Sequence, residues 1–376
     1  MSKVLIFAND NSTLYNFRRE LLTRLVSEGL EVVVALPAHP RNQAFADLGC
    51  TVIETPVSRF GTNPVTELAT LARFVKVVRR TRPDVILTYT AKPNIYGGLA
   101  AQVCRVPYVS TVTGLGVAFQ SKGALQRVSA SLQRLAFRKA HKVFFQNSDN
   151  LATFQDLSII RGQAEVLPGS GVNLQLHRLE PYAADDGVTR FITVSRIRRD
   201  KGFDELFEAI RRLCSSRDDL HFDIVGWYED DRYRSLVEEM RACFPVTFHD
   251  EVSQQRVHEL ISASHALIHP SHHEGMANVI LEASAAGVPC IASDIPGCRE
   301  AIDHGATGLL HPVQQVAAMV EAIEEFLALD WAARKAMGLA ARSKVETDFD
   351  RELVVGRYLV EVGDAISSTG GKALSR

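Results

Sequence analysis

The chain has 376 residues, 46% hydrophobic and 7% aromatic, and its 42 Lys and Arg against 44 Asp and Glu give a formal charge of -2. This length and composition exclude a disordered chain, a small disulfide scaffold and a collagen-like fibre, and predict two domains of roughly 100–200 residues each. The charge is uneven: residues 1–180 hold 21 basic and 12 acidic side chains and residues 181–376 hold 21 and 32, so the basic half suits an anionic partner, nucleic acid or a membrane surface.

In chain order, residues 4–8 form an apolar run that reads as a first strand and is too short for a signal peptide. Strand-like runs follow at 32–36, 52–54, 85–88, 109–111, 143–146 and 164–167, with helix-compatible stretches at 14–27, 65–79 and 94–104 between them. Short apolar strands alternating with helices predict a parallel sheet covered on both faces. The segment 180–187 combines Pro, Gly and acidic residues and reads as a linker. The pattern then restarts, with strands at 190–195, 221–226, 246–249, 266–269, 288–292 and 308–310 and helices at 203–213, 232–243 and 277–286.

The expected fold class is therefore α/β, with two doubly wound domains, 1–180 and 187–350. Ligands would sit beyond the carboxyl ends of the strands, where the domains face each other across a cleft. Residues 351–365 have helical periodicity, and 366–376 read as a flexible tail. No stretch approaches the ~20 apolar residues needed to span a bilayer, so a cytoplasmic protein with only peripheral membrane contact is expected. The six cysteines form no Cys-x-x-Cys pair and read as small core residues in a reducing compartment.

Three stretches of the second half carry chemistry. After its first strand, Arg196 and Lys201 stand on a strand-to-helix turn ending at Gly202. Two cations beside helix-terminal N–H groups suit a diphosphate, although a solvated basic turn has the same composition. Farther on, Glu274 and Glu282 are eight residues apart. Eight helical residues span ~12 Å, so the two carboxylates would address opposite ends of one ligand rather than flank a single bond. Gly275 permits close backbone approach, and the N–H groups of Met276, Ala277, Asn278 and Val279 could cap a phosphate. Trp227 and Tyr228 either line a base pocket or cover the core edge. His265, His269, His272 and His273 cluster near Glu274, but the adjacent pair diverges and no third ligand has metal spacing, so a wall or packing role is expected and no metal. The acidic pairs Asp185-Asp186, Asp218-Asp219 and Asp230-Asp231 offer no Asp-x-Asp at a strand end.

With Pro270-Ser271 before it and Gly287-Val288-Pro289 after it, the Glu274-x7-Glu282 segment resembles the signature of the family-4 retaining glycosyltransferases of the GT-B fold, and Arg196, Lys201-Gly202 and Gly305-x-x-Gly308 extend the match. The resemblance implies two Rossmann-like domains and a helix at 351–365 crossing back to the first. It further implies that Arg196 and Lys201 grip the donor diphosphate, Glu274 meets the donor sugar and Glu282 the ribose. Arg196, Lys201 and Glu274 would thus be the catalytic residues, and Gly275 to Val279 with Glu282 the donor-binding ones. No cofactor or divalent metal is implied, because cations and a helix N-terminus neutralise the leaving nucleotide diphosphate. Retention would proceed by attack on the leaving-group face, a phosphate oxygen helping to take the acceptor proton.

In the first half, small polar residues from Asn9 to Thr13 replace the Gly-rich loop frequent in this class, which removes the expected donor-phosphate role of that loop. Tyr15, Asn16 and Arg18 resemble a Tyr-x-Phe-Arg pattern in the subgroup that extends undecaprenyl-diphosphate-linked sugars. Lys92 and Asn94 then become contacts to the acceptor diphosphate or sugar, and Thr113, Gly114 and Gly116 the loop near the transferred sugar. The stretch 120–142 has no acidic residue; it sets Leu125, Val128, Leu132 and Leu135 at helical spacing among Lys122, Arg127, Arg134, Arg138 and Lys139. Such a helix can lie on anionic headgroups, each nearby cation contributing ~1 kcal/mol, or pack its apolar stripe on the core. Arg73, Lys76, Arg79, Arg80 and Arg82 form a second basic face.

The expected function is transfer of a hexose or N-acetylhexosamine from a UDP-sugar to a polyprenyl-diphosphate-linked saccharide in bacterial glycan or protein-glycosylation biosynthesis. The expected location is the inner face of the cytoplasmic membrane. A nucleotide-sugar epimerase shares the Glu-x7-Glu signature. A nucleic-acid-binding protein would use the basic half but lacks interleaved aromatics, so no nucleic-acid partner is expected. A dinucleotide oxidoreductase would need a Gly-x-Gly-x-x-Gly turn after a strand, and none is present.

Overall fold

The structure is a computed structural model that describes residues 1–57, 63–116, 119, 123–228 and 230–368. The chain divides into two compact units, Met1–Ser170 with Glu352–Arg376, and Gly171–Arg351.

The first unit holds β1 (Lys3–Phe7), α1 (Asn11–Ser27), β2 (Glu31–Leu36), α2 (Asn42–Asp47), β3 (Thr51–Glu54), α3 (Pro64–Thr81), β4 (Val85–Tyr89), α4 (Ala91–Cys104), β5 (Tyr108–Val112), α5 (Ala124–Phe137), β6 (Lys142–Phe145), α6 (Ser148–Asp156) and β7 (Ala164–Val166). Its seven strands are parallel, in the order β3-β2-β1-β4-β5-β6-β7. Alternation along β1 shows why this central strand is apolar on both faces. Val4 and Ile6 enter a core with Leu21 and Leu25 of α1, whereas Leu5 and Phe7 enter the opposite core with Phe74 and Val78 of α3.

The second unit holds β8 (Thr189–Val194), α7 (Phe203–Cys214), β9 (Leu220–Val225), α8 (Arg232–Cys243), β10 (Val246–His249), α9 (Gln254–Ser262), β11 (Ala266–His269), α10 (Asn278–Ala285), β12 (Cys290–Ser293), β13 (Gly308–His311), α11 (Val316–Ala328) and α12 (Trp331–Asp348). This sheet is also parallel, ordered β10-β9-β8-β11-β12-β13. Each sheet reverses its winding once, between β1 and β4 and between β8 and β11, which is where a doubly wound sheet opens a crevice beyond its carboxyl ends.

The division falls between Ser170 and Gly171, so residues 171–180 and the 180–187 segment both lie in the second unit. That segment is docked. Tyr182 Oη donates to His265 O at 2.7 Å, His265 Nε2 lies 3.1 Å from Ala184 O, and Trp331 Nε1 donates to Ala183 O at 2.8 Å. The last helix, α13 (Arg351–Ser367), returns to the first unit, where Val354, Tyr358 and Val362 join the core on the α1 side of the sheet. Tyr358 is buried edge-on against Phe144, its hydroxyl 2.5 Å from Thr111 Oγ1. Ile366 and Ser367 are thus helical rather than the start of a tail, and 369–376 lie outside the described residues. Among the described residues no helix is long and apolar enough to cross a membrane.

Candidate functional site

In the second unit the winding reversal brings the loops after β8 and β11 together. β8 ends where Ser195 N donates to Val225 O at 3.0 Å. The chain then passes Arg196, which is half-buried, and turns through a short 3-10 segment, Arg199–Lys201, into Gly202. Gly202 has φ +74, and a Cβ there would lie 2.1 Å from Pro270 O. Only glycine lets this turn press against the loop leaving β11. Further bonds join the loops: His272 N donates to Asp200 O at 3.0 Å, and Ser271 Oγ to the same oxygen at 3.4 Å. The His272 ring lies between Glu205, at 3.2 Å, and the Gln314 amide, at 3.1 Å.

That clamp sets Lys201 Nζ 2.6 Å from Glu274 Oε1, and His269 Nε2 3.1 Å from the same oxygen. Burial alone would raise the Glu274 pKa; the adjacent Lys201 ammonium and the His269 hydrogen bond outweigh it and hold the carboxyl down to about 2. Behind Glu274, Gly297 at φ +85 lies so close that a Cβ would stand 2.9 Å from Gly275 O. Gly297 O also accepts from Ala277 N at 2.9 Å, so that N–H is already taken. Met276 and Ala277 turn their side chains into the core. Of the four N–H groups expected to cap a phosphate, those of Asn278 and Val279 stand in the first turn of α10, where no intrahelical acceptor exists.

Glu282, one turn farther along α10, has the opposite electrostatics. Burial pushes its carboxyl up to about 7, against the opposing charge of Arg351. Arg351 is buried and donates to Gly171 O at 3.0 Å, and His177 Nε2 lies 4.0 Å from Glu282 Oε1. The two carboxylates eight residues apart are therefore held in different states: Glu274 ionised, Glu282 poised near neutrality. Trp227 is exposed and stacks in parallel on Tyr228, ring centroids 6.1 Å apart, while Tyr228 packs against the core.

The winding reversal of the first unit carries polar groups of its own. Thr90 Oγ1 donates to Asn9 Oδ1 at 2.7 Å, joining the ends of β4 and β1, and Thr90 has φ +74 and ψ 163, a conformation that side chains rarely adopt. Asp10 caps α1 through Thr13 N. Lys92 Nζ is 2.5 Å from Glu67 Oε1. Sequence reasoning passed over Glu67; the local signal was the Asn63 cap and Pro64, which place it in the first turn of α3.

Several expected acceptor contacts are internal. Asn94 is buried, accepting from Thr88 Oγ1 at 2.7 Å and donating to Thr111 O at 2.9 Å, so it ties β4 to β5 and does not face an acceptor. Arg18 is buried with its guanidinium 5.0 Å from the Tyr89 ring and 5.6 Å from that of Tyr358. Tyr15 lies edge-on to Phe45, and Asn16 is half-buried. Thr113 and Gly114 are half-buried and Gly116 exposed in the loop after β5.

Helix α5 buries Ala130, Gln133, Ala136 and Phe137. Leu125, Val128 and Leu135 are exposed by 50%, 57% and 45%, beside the exposed Arg127, Arg138 and Lys139. Arg134 differs from these, donating to Ser158 O and Leu157 O at 2.8 and 2.7 Å where α6 ends. Lys122 lies outside the described residues. Among the described residues no three His, Cys, Asp or Glu are grouped to hold a metal ion.

Residues 16–170 match the family described as glycosyl transferase 4-like domain, and residues 179–344 match glycosyl transferases group 1. The chain is 26% identical, over 93% of its length and 95% of the relative's, to N,N'-diacetylbacillosaminyl-diphospho-undecaprenol alpha-1,3-N-acetylgalactosaminyltransferase of Campylobacter jejuni. Among solved structures it is similar to sucrose-phosphate synthase from Thermosynechococcus elongatus, with TM-score 0.79 and 20% identity over 98% of this chain and 100% of that one. It is also similar to Anabaena Alr3699/HepE in complex with UDP-glucose, with TM-score 0.77 and 17% identity over the same shares. The fold is GT-B: two Rossmann-like domains with parallel sheets.

Proposed function

The chain belongs to the glycosyltransferases built from these two domains, and from that premise we propose that it moves a hexose or N-acetylhexosamine from a UDP-sugar to a polyprenyl-diphosphate-linked saccharide with retention of configuration. The observation that carries this reading is the convergence of Lys201, Glu274 and the first turn of α10 on the β8/β11 reversal. Arg196, Lys201 and the N–H groups of Asn278 and Val279 take the diphosphate and stabilise the charge that grows on it as the glycosidic bond breaks. Glu274 accepts hydrogen bonds from the sugar hydroxyls, and Glu282 from the ribose. No buried carboxylate flanks the anomeric carbon in this scheme, so a donor phosphate oxygen takes the acceptor proton and attack occurs on the leaving-group face. With this cationic set the reaction needs no divalent metal.

The Campylobacter relative is named for an undecaprenol-diphosphate-linked acceptor and the Anabaena structure holds UDP-glucose, and both support the choice of substrates. On the acceptor side, Lys92 and the Thr113–Gly114–Gly116 loop follow adjacent strands of the first unit. The exposed Leu125, Val128 and Leu135 with Arg127, Arg138 and Lys139 rest on the cytoplasmic membrane surface, where such an acceptor is anchored.

The test is a panel of radiolabelled UDP-sugars with polyprenyl-diphosphate-linked saccharides, the product anomer read by NMR. Transfer with the donor's anomeric configuration, unaffected by EDTA, is the expected outcome. Inversion, isomerisation of the donor without transfer, or activity restored only by Mn2+ would each overturn a part of the reading.

A further inference from the structure

His269 is the last residue of β11, paired in register with Ala292 of β12, and its side chain is 95% removed from solvent. Burying an imidazole is unfavourable unless its nitrogens find partners. Its Nδ1 has none among the described residues, and its Nε2 is directed at Glu274 Oε1, 3.1 Å away. An ionised carboxylate can only accept, so Nε2 carries the hydrogen. Lys201 meets the same oxygen. Among the described residues both of these donors fall on Oε1, and neither takes Oε2.

We infer that His269 is a positioning residue for recognition of the donor sugar. The inference rests on the donor site proposed above and extends it. In the structure Lys201 and His269 share the work of fixing Glu274. A nucleotide diphosphate draws the Lys201 ammonium toward itself, and His269, anchored at the end of a buried strand, then holds the carboxylate in place against the sugar hydroxyls. Its effect therefore belongs to the sugar-bound state and not to nucleotide binding.

The experiment is calorimetric titration of the full-length chain with UDP and with UDP-N-acetylgalactosamine, UDP-N-acetylglucosamine and UDP-glucose. The proteins compared are wild type, Glu274→Gln, His269→Leu and His269→Gln, with initial-rate kinetics alongside. A hydrogen bond to a charged group is worth about a tenfold change in affinity or more. His269→Leu should weaken the bound UDP-sugar by about that factor and leave UDP within twofold of wild type. His269→Gln, whose amide can still donate to Glu274, should regain most of the loss. Equal weakening of UDP and UDP-sugar, or failure of the glutamine to rescue, would reduce His269 to a packing residue and overturn the inference. Undiminished sugar binding by Glu274→Gln, or no binding of any probe by wild type, would instead remove the donor site on which it rests.

Discussion

Lys201 Nζ lies 2.6 Å from Glu274 Oε1, joining two loops whose residues are 73 apart in the chain. Each group answers the other's charge in a half-buried place, so removing one leaves the other exposed to the cost of burial without its partner. Lys201→Ala and Glu274→Ala should each lower kcat/KM for transfer by about two orders of magnitude or more. Because the two share one interaction, the double variant should lose less than the sum of the single losses, with a coupling of about 1–3 kcal/mol in stability by urea denaturation. Wild-type rates in either single variant would remove the donor site proposed here.

Glu282 makes stability and donor binding depend on pH. Its carboxyl is raised from 4.5 to about 7 by burial, so the folded protein retains this proton when the unfolded chain has lost it. Stability from this group therefore falls as pH rises from about 4.5 through 7, by about 3 kcal/mol in all. Glu282→Gln should be more stable than wild type at pH 8, with the advantage vanishing toward pH 4.5 in thermal melts. Donor affinity should run the other way in wild type, rising through pH 7 as the carboxylate forms. The same titration should be flat in the glutamine variant.

Two glycines of similar φ separate backbone strain from close approach. Gly162, at φ +89, has nothing within 4 Å of the place a Cβ would take, whereas a methyl at Gly202, at φ +74, would strike Pro270 O. Gly162→Ala should cost about 1 kcal/mol from its backbone conformation alone. Gly202→Ala should cost about 3 kcal/mol or more and raise the donor KM, since the loops carrying Lys201 and Glu274 must move apart. Chemical denaturation of both variants beside donor kinetics checks the contrast.

Helix α5 offers a division among cations that look alike in sequence. Replacing Arg127, Arg138 and Lys139 by Gln should weaken binding to vesicles containing anionic lipid, each contributing ~1 kcal/mol, with little change in melting temperature. Arg134→Gln should do the reverse, because its guanidinium serves the carbonyls of Leu157 and Ser158. Unchanged vesicle binding by the triple variant, measured by co-sedimentation, would discard the proposed membrane face.

Much of the fold was legible in the chain. Short apolar runs of three to six residues between helices are what a sheet buried on both faces requires, and they marked every strand of both units to within about two residues. Short helices were harder to see, and α2 and α6 were passed over. α9, α11 and α12 were passed over as well, although α11 and α12 span 13 and 18 residues. At the site, local spacing was enough to single out Lys201, Gly202, Glu274, Gly275 and Glu282, because turns and helix starts are written in neighbouring residues.

By itself, then, the sequence determined the alternation of strands and helices, the turn glycines and the eight-residue interval between the two glutamates. Tertiary structure alone decided what each polar side chain meets. Asn94 became a tie between two strands, Arg134 a partner of α6, and His269 a support for Glu274. It also set Tyr358 against Thr111, 247 residues away. The reason is physical: a local conformation depends on residues within a turn or two. The partner of a buried donor or acceptor depends on which strands lie side by side, and that order is settled only when the whole sheet is assembled.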